Sequence, residues 1–211
     1  MKIAVIGAGN VGGTLGRRWA ALGHELVFGV RDPAREKYQG LVTQTGGRGR
    51  LASNREACAG AGAVLLATPW NTTQAALAEC GALDGQVLID ATNPLGADLR
   101  LTLGHSDSGG EQVARWAPGA RVVKAFNTTG FNIMEDPVIQ GRHAVMFVAG
   151  DDPAAKSVVL DLASAIGFEA VDAGPLASSR MLEPMAQLWI HCAYRQGLTR
   201  DYAFHLLRRG A

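Results

Sequence analysis

The chain has few of the features that mark secreted, metal-binding or membrane proteins. Among its 211 residues are only three cysteines, Cys58, Cys80 and Cys192, which are widely spaced and form no Cys-x-x-Cys pair. This pattern predicts neither a disulfide framework nor a zinc site. No apolar run approaches the ~18 residues of a membrane helix, and the first run, 2–6, is too short for a signal peptide. We therefore expect no metal, no membrane contact and a cytoplasmic location.

The chain also has no large excess of positive or negative residues. Lysine and arginine together number 20 against 19 acidic residues, which leaves a formal net charge of +1. No overall field therefore favours nucleic acid as a partner. Hydrophobic residues make up 47% of the chain and charged residues 18%, a balance typical of a well-buried globular enzyme and not of a disordered chain.

Short apolar runs alternate with stretches of helix length along most of the chain. This alternation predicts an α/β fold, a doubly wound and mostly parallel sheet with helices on both faces. We expect strands at residues 2–6, 25–30, 63–68, 86–91, 121–125, 144–149 and 169–172, with a weak strand near 50–52. We expect helices at residues 10–22, 33–43, 55–59, 72–79, 110–117 and 153–166. Residues 1–211 should form a single domain, with a core at about 1–174 and a short C-terminal helical extension at 175–211.

A glycine-rich turn, Gly7-Ala8-Gly9-Asn10-Val11-Gly12, follows the first predicted strand directly and opens the first predicted helix. In this context the spacing is the fingerprint of a dinucleotide pyrophosphate site. Gly7 permits the tight turn, Gly9 lets the backbone approach the pyrophosphate, and Gly12 lets the helix pack on the strand. Asn10 and Val11 should lie along the cofactor through their backbone. The alternative is a turn that only joins strand to helix.

The end of the second predicted strand should decide which nicotinamide cofactor binds. There the sequence reads Gly29-Val30-Arg31-Asp32-Pro33, with an arginine suited to the 2′-phosphate of NADP beside a carboxylate suited to the ribose of NAD. If Asp32 caps a helix that begins at Pro33, Arg31 is left for the phosphate. We favour NADP(H), bound by Arg31 and the backbone of Val30, with Asp32 and NAD as the alternative.

Two more strand ends should border the nicotinamide half of the cofactor, because ligands of such sheets lie beyond the carboxyl ends of the strands. The first, Thr68-Pro69-Trp70, contains a tryptophan that either stacks on the cofactor or fills a helix–sheet seam. The second, Thr92-Asn93-Pro94, offers the Asn93 carboxamide, although Asn before Pro is also a turn former. We expect Thr68, Pro69, Trp70 and Asn93 to contact the cofactor.

Residues that would polarise an alcohol or ketone substrate are missing. No tyrosine begins a Tyr-x-x-x-Lys motif, and the five histidines have no carboxylate partner nearby in sequence. Lys124, at the end of a predicted strand, is the lysine best placed for a site, and a salt bridge or a solvated strand end is the alternative role. We therefore expect no acid–base catalytic residue.

Several segments together resemble the NADPH-dependent reductases of the deazaflavin coenzyme F-420. Besides the glycine turn they are 29–33, Asp90–Pro94, Ser108–Trp116, Val123–Thr128, Gly150–Asp152 and Arg180–Pro184. The resemblance implies a Rossmann fold with a small C-terminal helical part, a homodimer, and NADP held by the glycine turn and Arg31. It also implies that residues 125–129 lie beside the nicotinamide. In this family Ser commonly precedes the arginine, where this chain has Val30.

The function implied is hydride transfer between NADP(H) and a small-molecule redox acceptor, either the deazaflavin coenzyme F-420 or a flavin. The segment Phe126-Asn127-Thr128-Thr129-Gly130 is our candidate for the wall of the acceptor site, because its side chains can hydrogen-bond the edge of a flat ring. Here Ala125 and Asn127 should contact the cofactor, and Phe126, Thr128 and Thr129 should lie near the substrate. A plain polar turn is the alternative for this segment. Reduction of a small imine or carbonyl compound and a non-catalytic NADP-binding redox sensor are the alternative functions.

Overall fold

The structure is a computed structural model that describes residues 1–210, and its centre is one eight-stranded sheet. The strand order across this sheet is β10-β9-β6-β5-β4-β1-β2-β3. Within the described residues the strands are β1 (Lys2–Ile6), β2 (Glu25–Gly29), β3 (Gly49–Ala52), β4 (Ala63–Leu66), β5 (Val87–Asp90), β6 (Arg121–Lys124), β7 (Val138–Ile139), β8 (Arg142–His143), β9 (Val145–Gly150) and β10 (Glu169–Asp172).

Helices cover both faces of the sheet. In the part of the chain described here they are α1 (Asn10–Ala21), α2 (Gln39–Thr43), α3 (Asn54–Cys58), α4 (Trp70–Cys80), α5 (Gly109–Trp116), α6 (Phe131–Glu135), α7 (Pro153–Ala165) and α8 (Ser179–Arg195). One apolar cluster lies under α1, α6 and α7, and a second under α3, α4 and α5. The predicted α/β architecture with a C-terminal helix is confirmed.

Most strands of the sheet run in the same direction. Strands β1 to β6 are parallel to one another, and β4 and β5 are buried along their whole length, as expected of parallel strands covered on both faces. β9 pairs with β6 in the antiparallel sense, with Val123 opposite Gly150, and β10 runs parallel to β9. The sheet is therefore mostly parallel, and the carboxyl ends of β1 to β6 share one edge.

The helix predicted from Pro33 is wrong in its first half. Asp32 Oδ1 accepts a hydrogen bond from the backbone N–H of Ala34 at 3.1 Å, which closes a turn instead of capping a helix. A 3-10 turn at Glu36–Tyr38 follows, and α2 begins only at Gln39. The short helix α6 and the β7–β8 hairpin were not predicted, because segments of two to five residues are too short to show a period.

The C-terminal extension contains α8 and, after it, a segment of irregular chain at residues 196–210, here called the strap. After α8 the strap returns to the sheet, where the N–H of Val145 donates to the carbonyl of Phe204 at 2.9 Å. The rings of Trp189 and Tyr202 stack with their centroids 5.4 Å apart, which holds the strap against α8. Among residues 1–210 we find no helix that combines the length and apolar character needed to cross a membrane.

Candidate dinucleotide-binding site

The glycine turn joins β1 to α1 at the carboxyl edge of the sheet. Glycine occupies its three positions for different physical reasons. Gly7 has φ +104°, and a Cβ there would lie 2.5 Å from the carbonyl oxygen of Ala67. A Cβ on Gly12 would lie 2.1 Å from the carbonyl oxygen of Gly7. The fold itself therefore requires these two glycines.

Gly9 differs, because no neighbouring atom of the described residues would clash with a side chain at this position. A Cβ at this position would meet no atom within 4 Å, and its φ of −89° is one that any residue adopts. Gly9 is the residue before α1, and no side chain caps the helix there, so the first-turn amides of α1 point into open space. Free amides and the positive end of the helix dipole favour an anion. The geometry fits the close approach of a pyrophosphate.

The turn opens onto a cavity of about 380 Å³ at the carboxyl ends of β1, β2 and β4. The cavity brings together six of the predicted cofactor residues, which are Gly7, Gly9, Val30, Arg31, Thr68 and Pro69. Other residues that line the cavity were not predicted, among them Tyr38, Asn54, and Thr72 and Glu79 on α4. These residues are far from the glycine turn in sequence, so no local pattern could have connected them to it.

The predicted phosphate corner lies beside this cavity. A space of about 440 Å³ is lined by Arg31, Asp32, Arg35 and Tyr38. Both arginines line this space. Asp32 uses one carboxylate oxygen in the turn to Ala34. Arg35 was not predicted, because it was assigned to the interior of a helix that does not form. Val30 is buried and offers the corner no side-chain hydrogen bond.

A second opening lies on the other side of the glycine turn, between α1 and α6. It measures about 510 Å³, and Gly9 and Asn10 line it together with Phe131 and Asn132. Val11 is half-buried and packs against the core. Of the predicted residues of the turn, Gly7 thus lines the first space, Asn10 lines the second, and Gly9 lines both.

Two segments predicted to contact the cofactor, those that follow β5 and β6, are joined to one another by hydrogen bonds. Asn93 Nδ2 donates to the carbonyl of Asn127 at 2.9 Å, and Asn127 Nδ2 donates to Asn93 Oδ1 at 3.1 Å. Within the described residues Asn127 Oδ1 and Thr129 Oγ1 are buried without a hydrogen-bond partner. This edge therefore contains two polar oxygens that the protein itself does not satisfy.

Phe126 turns the chain at this edge. Its φ of +61° lies in the left-handed region, which is costly for a bulky residue and concentrates at functional sites. Its ring packs in the core, 5.7 Å from Trp19 and 6.3 Å from Phe168, and Ala125 and Thr128 are also buried. Only the backbone of Phe126 thus reaches the edge, and its role near a substrate stays a prediction.

Trp70, the first residue of α4, contacts α5, and Thr68 contacts α4. The Trp70 ring lies 5.2 Å from the ring of Trp116, in the seam between these helices. The hydroxyl groups of Thr68 and Thr73 are 2.9 Å apart, which fixes the start of α4 next to the cavity. The Trp70 ring therefore packs between two helices, and its contact with the cofactor stays a prediction.

Lys124 lies in a buried cluster of charges. Its Nζ is 2.9 Å from Asp90 Oδ2 and 2.7 Å from Glu183 Oε1, and it donates to the carbonyl of Thr92 at 2.7 Å. Burial by itself lowers the pKa of Lys124, but the facing carboxylates outweigh burial and raise the pKa above its ordinary value. The ammonium group is therefore held in its charged form.

Glu183 also connects this cluster to α5. Its carboxylate accepts hydrogen bonds from the backbone N–H groups of Gly109 at 2.8 Å and Gly110 at 3.0 Å, at the positive end of that helix. Glu183 thus links α8 to α5 and to Lys124 of β6. Through Lys124 it is also linked to Asp90 of β5. The partners of Glu183 were not predicted, because a single glutamate in a helix gives no signal in the sequence of a distant partner.

Comparison with known proteins places these features in one family. The profile described as NADP oxidoreductase, coenzyme F-420-dependent, matches residues 2–94. The F-420-dependent NADP reductase of Methanothermobacter thermautotrophicus is 33% identical over 213 aligned residues, which cover 92% of this chain and 90% of that protein.

The similarity extends to solved structures and to a longer class of proteins. The crystal structure of a candidate F-420-dependent NADP reductase from Arthrobacter sp. FB24 matches 99% of this chain and 100% of its own, with a TM-score of 0.90 and 36% identity. Metalloreductase STEAP3 of Rattus norvegicus is 29% identical over 182 residues. That match covers 86% of this chain, which spans 36% of the length of the metalloreductase.

Proposed function

Since the chain belongs to the family of NADP reductases that depend on coenzyme F-420, we propose that it transfers hydride between NADP(H) and a deazaflavin or flavin ring. That it is an NADP(H)-dependent oxidoreductase follows from the family, and the acceptor is the proposal. When bound, NADPH supplies the hydride from C4 of its nicotinamide ring. Loss of this hydride would leave NADP⁺, and the reduced acceptor ring would take one proton from solvent.

The state of Lys124 is the observation that carries the proposal. This lysine is the one that sequence analysis placed closest to a catalytic role, and it is fully buried between Asp90 and Glu183. It cannot reach a substrate or release its proton readily. Hydride transfer between two flat rings needs no such group, because holding the rings at contact distance is sufficient.

The residues of the site have separate tasks in this proposal. The first-turn amides of α1 and the open space at Gly9 hold the pyrophosphate, and Arg31 and Arg35 hold the 2′-phosphate. The Asn93–Asn127 pair shapes the edge that faces the nicotinamide. The buried oxygen of Asn127 that has no partner suits a donor such as the carboxamide N–H of the nicotinamide.

A panel of acceptors tests the proposal. Purified protein and NADPH are mixed in turn with coenzyme F-420, FMN, FAD, a quinone and a cyclic imine, and the loss of NADPH absorbance is followed. We expect turnover with the deazaflavin or a flavin. Turnover with the imine alone would make the protein an imine reductase, and tight NADPH binding with no turnover in any mixture would make it a redox sensor.

Arg31→Ala should change the choice of cofactor. A guanidinium–phosphate contact contributes about 1.5–3 kcal/mol, so we expect NADPH to bind more than tenfold more weakly and NADH to bind nearly as before. Calorimetric titration with each nucleotide measures both effects, and Arg142→Ala, at an exposed arginine on β8, is the control. Equal losses for both nucleotides, or a large loss of NADH binding in Asp32→Ala, would make the cofactor NAD.

We further propose that the protein is a cytoplasmic homodimer, which the family resemblance implies. On α8 the side chains of Met181 and Leu188 are 67% and 54% exposed. They lie seven residues apart, so they share one face of the helix. An exposed apolar face of this kind favours association. The cytoplasmic location is consistent with three free cysteines and with a cofactor that is available inside cells.

A further inference from the structure

The part of the 380 Å³ cavity that runs along α4 has an exposed carboxylate, Glu79, that neither phosphate explains. From the glycine turn the cavity runs along α4, where Thr72, Ala75, Ala76 and Glu79 line it. Their spacing of three, one and three residues puts them on one face of the helix. If the pyrophosphate lies at Gly9 and the 2′-phosphate at Arg31, as proposed above, the adenine ring lies against this face.

We propose that Glu79 recognises the adenine base through its 6-amino group. The inference deepens the proposed function, because it rests on the same placement of the nucleotide. The side chains of Ala75 and Ala76 are small, so this face of α4 leaves room for a flat ring beside it. Glu79 stands one helical turn beyond them, at the place where the edge of the ring would end.

The carboxylate of Glu79 is held in position by Asn54. Asn54 is 7% exposed, and its Nδ2 donates to Glu79 Oε2 at 2.7 Å. Asn54 is the first residue of α3 and lies within the Ser53–Glu56 capping box. Its Oδ1 would be 2.6 Å from a Cβ on Gly29. The absence of that Cβ gives Asn54 the room it occupies, so the position of its donor is fixed by the backbone.

One oxygen of Glu79 is left for a ligand. Within the described residues Glu79 Oε1 takes part in no hydrogen bond or ion pair, although Glu79 lines the cavity. An unpaired carboxylate repels the phosphates of a dinucleotide, so it weakens binding unless it accepts a hydrogen bond from the ligand. The 6-amino group of adenine is such a donor. Hypoxanthine has an oxygen at this position, and the donor on that edge of its ring, the N1–H, lies one ring position away from the group that Glu79 is proposed to contact.

Binding of NADPH is therefore compared with binding of reduced nicotinamide hypoxanthine dinucleotide phosphate, which has oxygen in place of the 6-amino group. We expect the wild-type protein to bind NADPH about tenfold or more tightly than the analogue. Glu79→Gln keeps an oxygen for Asn54 and turns an amide N–H toward the base. This variant should therefore lose the preference for adenine and bind the analogue at least as tightly as NADPH.

The control is Gln74→Ala, at an exposed position on the opposite face of α4, which should keep the wild-type preference. The inference is overturned if the wild-type protein binds both nucleotides equally, or if Glu79→Gln weakens both by the same factor. Normal binding of both nucleotides by Gly9→Val would also overturn it, because the placement itself would then be wrong. No acceptor is present in the assay, so failure of the proposed acceptor leaves the result unaffected.

Discussion

Gly9→Val should bind NADPH at least a hundredfold more weakly while it folds as the wild-type protein does. A Cβ at this position meets no protein atom within 4 Å, and φ is −89°, so a branched residue fits the folded backbone. The same side chain fills the space that the pyrophosphate needs. Loss of two or more charge-assisted hydrogen bonds, at about 1.5–3 kcal/mol each, accounts for the factor. Calorimetric titration measures the affinity, and thermal unfolding measures the stability.

Gly12→Val is the matched control. It makes the same change three residues later, at a position where the side chain would clash with the protein itself. Its Cβ would lie 2.1 Å from the carbonyl oxygen of Gly7 and 2.9 Å from Val5 Cγ1, so we expect loss of the folded state. Unchanged NADPH affinity in Gly9→Val would contradict the assignment of the glycine turn to the pyrophosphate. Equal destabilisation in both variants would show that Gly9 serves the fold alone.

The parts of the site that the sequence predicts are those whose neighbours in space are also neighbours in the chain. The glycine turn lies between β1 and α1 because a strand, a tight turn and a helix follow one another within residues 2–21. The buried strands β4 and β5 were predicted for the same reason, since an apolar run shows its own burial. The end of β2 was predicted as a cofactor site because the fold class puts it at the carboxyl edge.

The parts that were missed depend on contacts between distant residues. Glu183 lies 74 positions from Gly109, and Asn54 lies 25 positions from Glu79, so neither pair has a local pattern. The helix expected from Pro33 is a case of two competing local signals. Asp before Pro is typical of a helix start, but it equally closes a turn through its own side chain, and here the turn forms and places Arg35 next to Arg31.

Lys124 illustrates how tertiary contacts decide between roles that the sequence leaves open. The position of a lysine at a strand end is compatible with catalysis and with a salt bridge. The structure surrounds its ammonium group with Asp90, Glu183 and the carbonyl of Thr92, two of which come from β5 and the turn after it. The third comes from α8, and no feature of residues 121–124 indicates that partner.

Lys124→Met should reduce the free energy of unfolding by about 3–5 kcal/mol, because it leaves two buried carboxylates without their cation. Urea unfolding followed by tryptophan fluorescence measures the change. Lys156→Met is the control, since its ion pair with Asp172 has one partner half-exposed and exposed pairs contribute about 0–1 kcal/mol. Adding Asp90→Asn and Glu183→Gln to Lys124→Met should recover part of the loss, because no unpaired charge then remains.

The wild-type protein should show the same interaction in its pH dependence. The pKa of Lys124 is raised in the folded state, so its contribution to stability is complete below the unfolded pKa of about 10.4. The contribution is lost as pH rises through the folded value, and Lys124→Met should lack this alkaline loss. A Lys124→Met variant that keeps the wild-type unfolding midpoint but transfers hydride far more slowly would instead make Lys124 a catalytic residue, and the proposal of transfer without an acid–base group would be wrong.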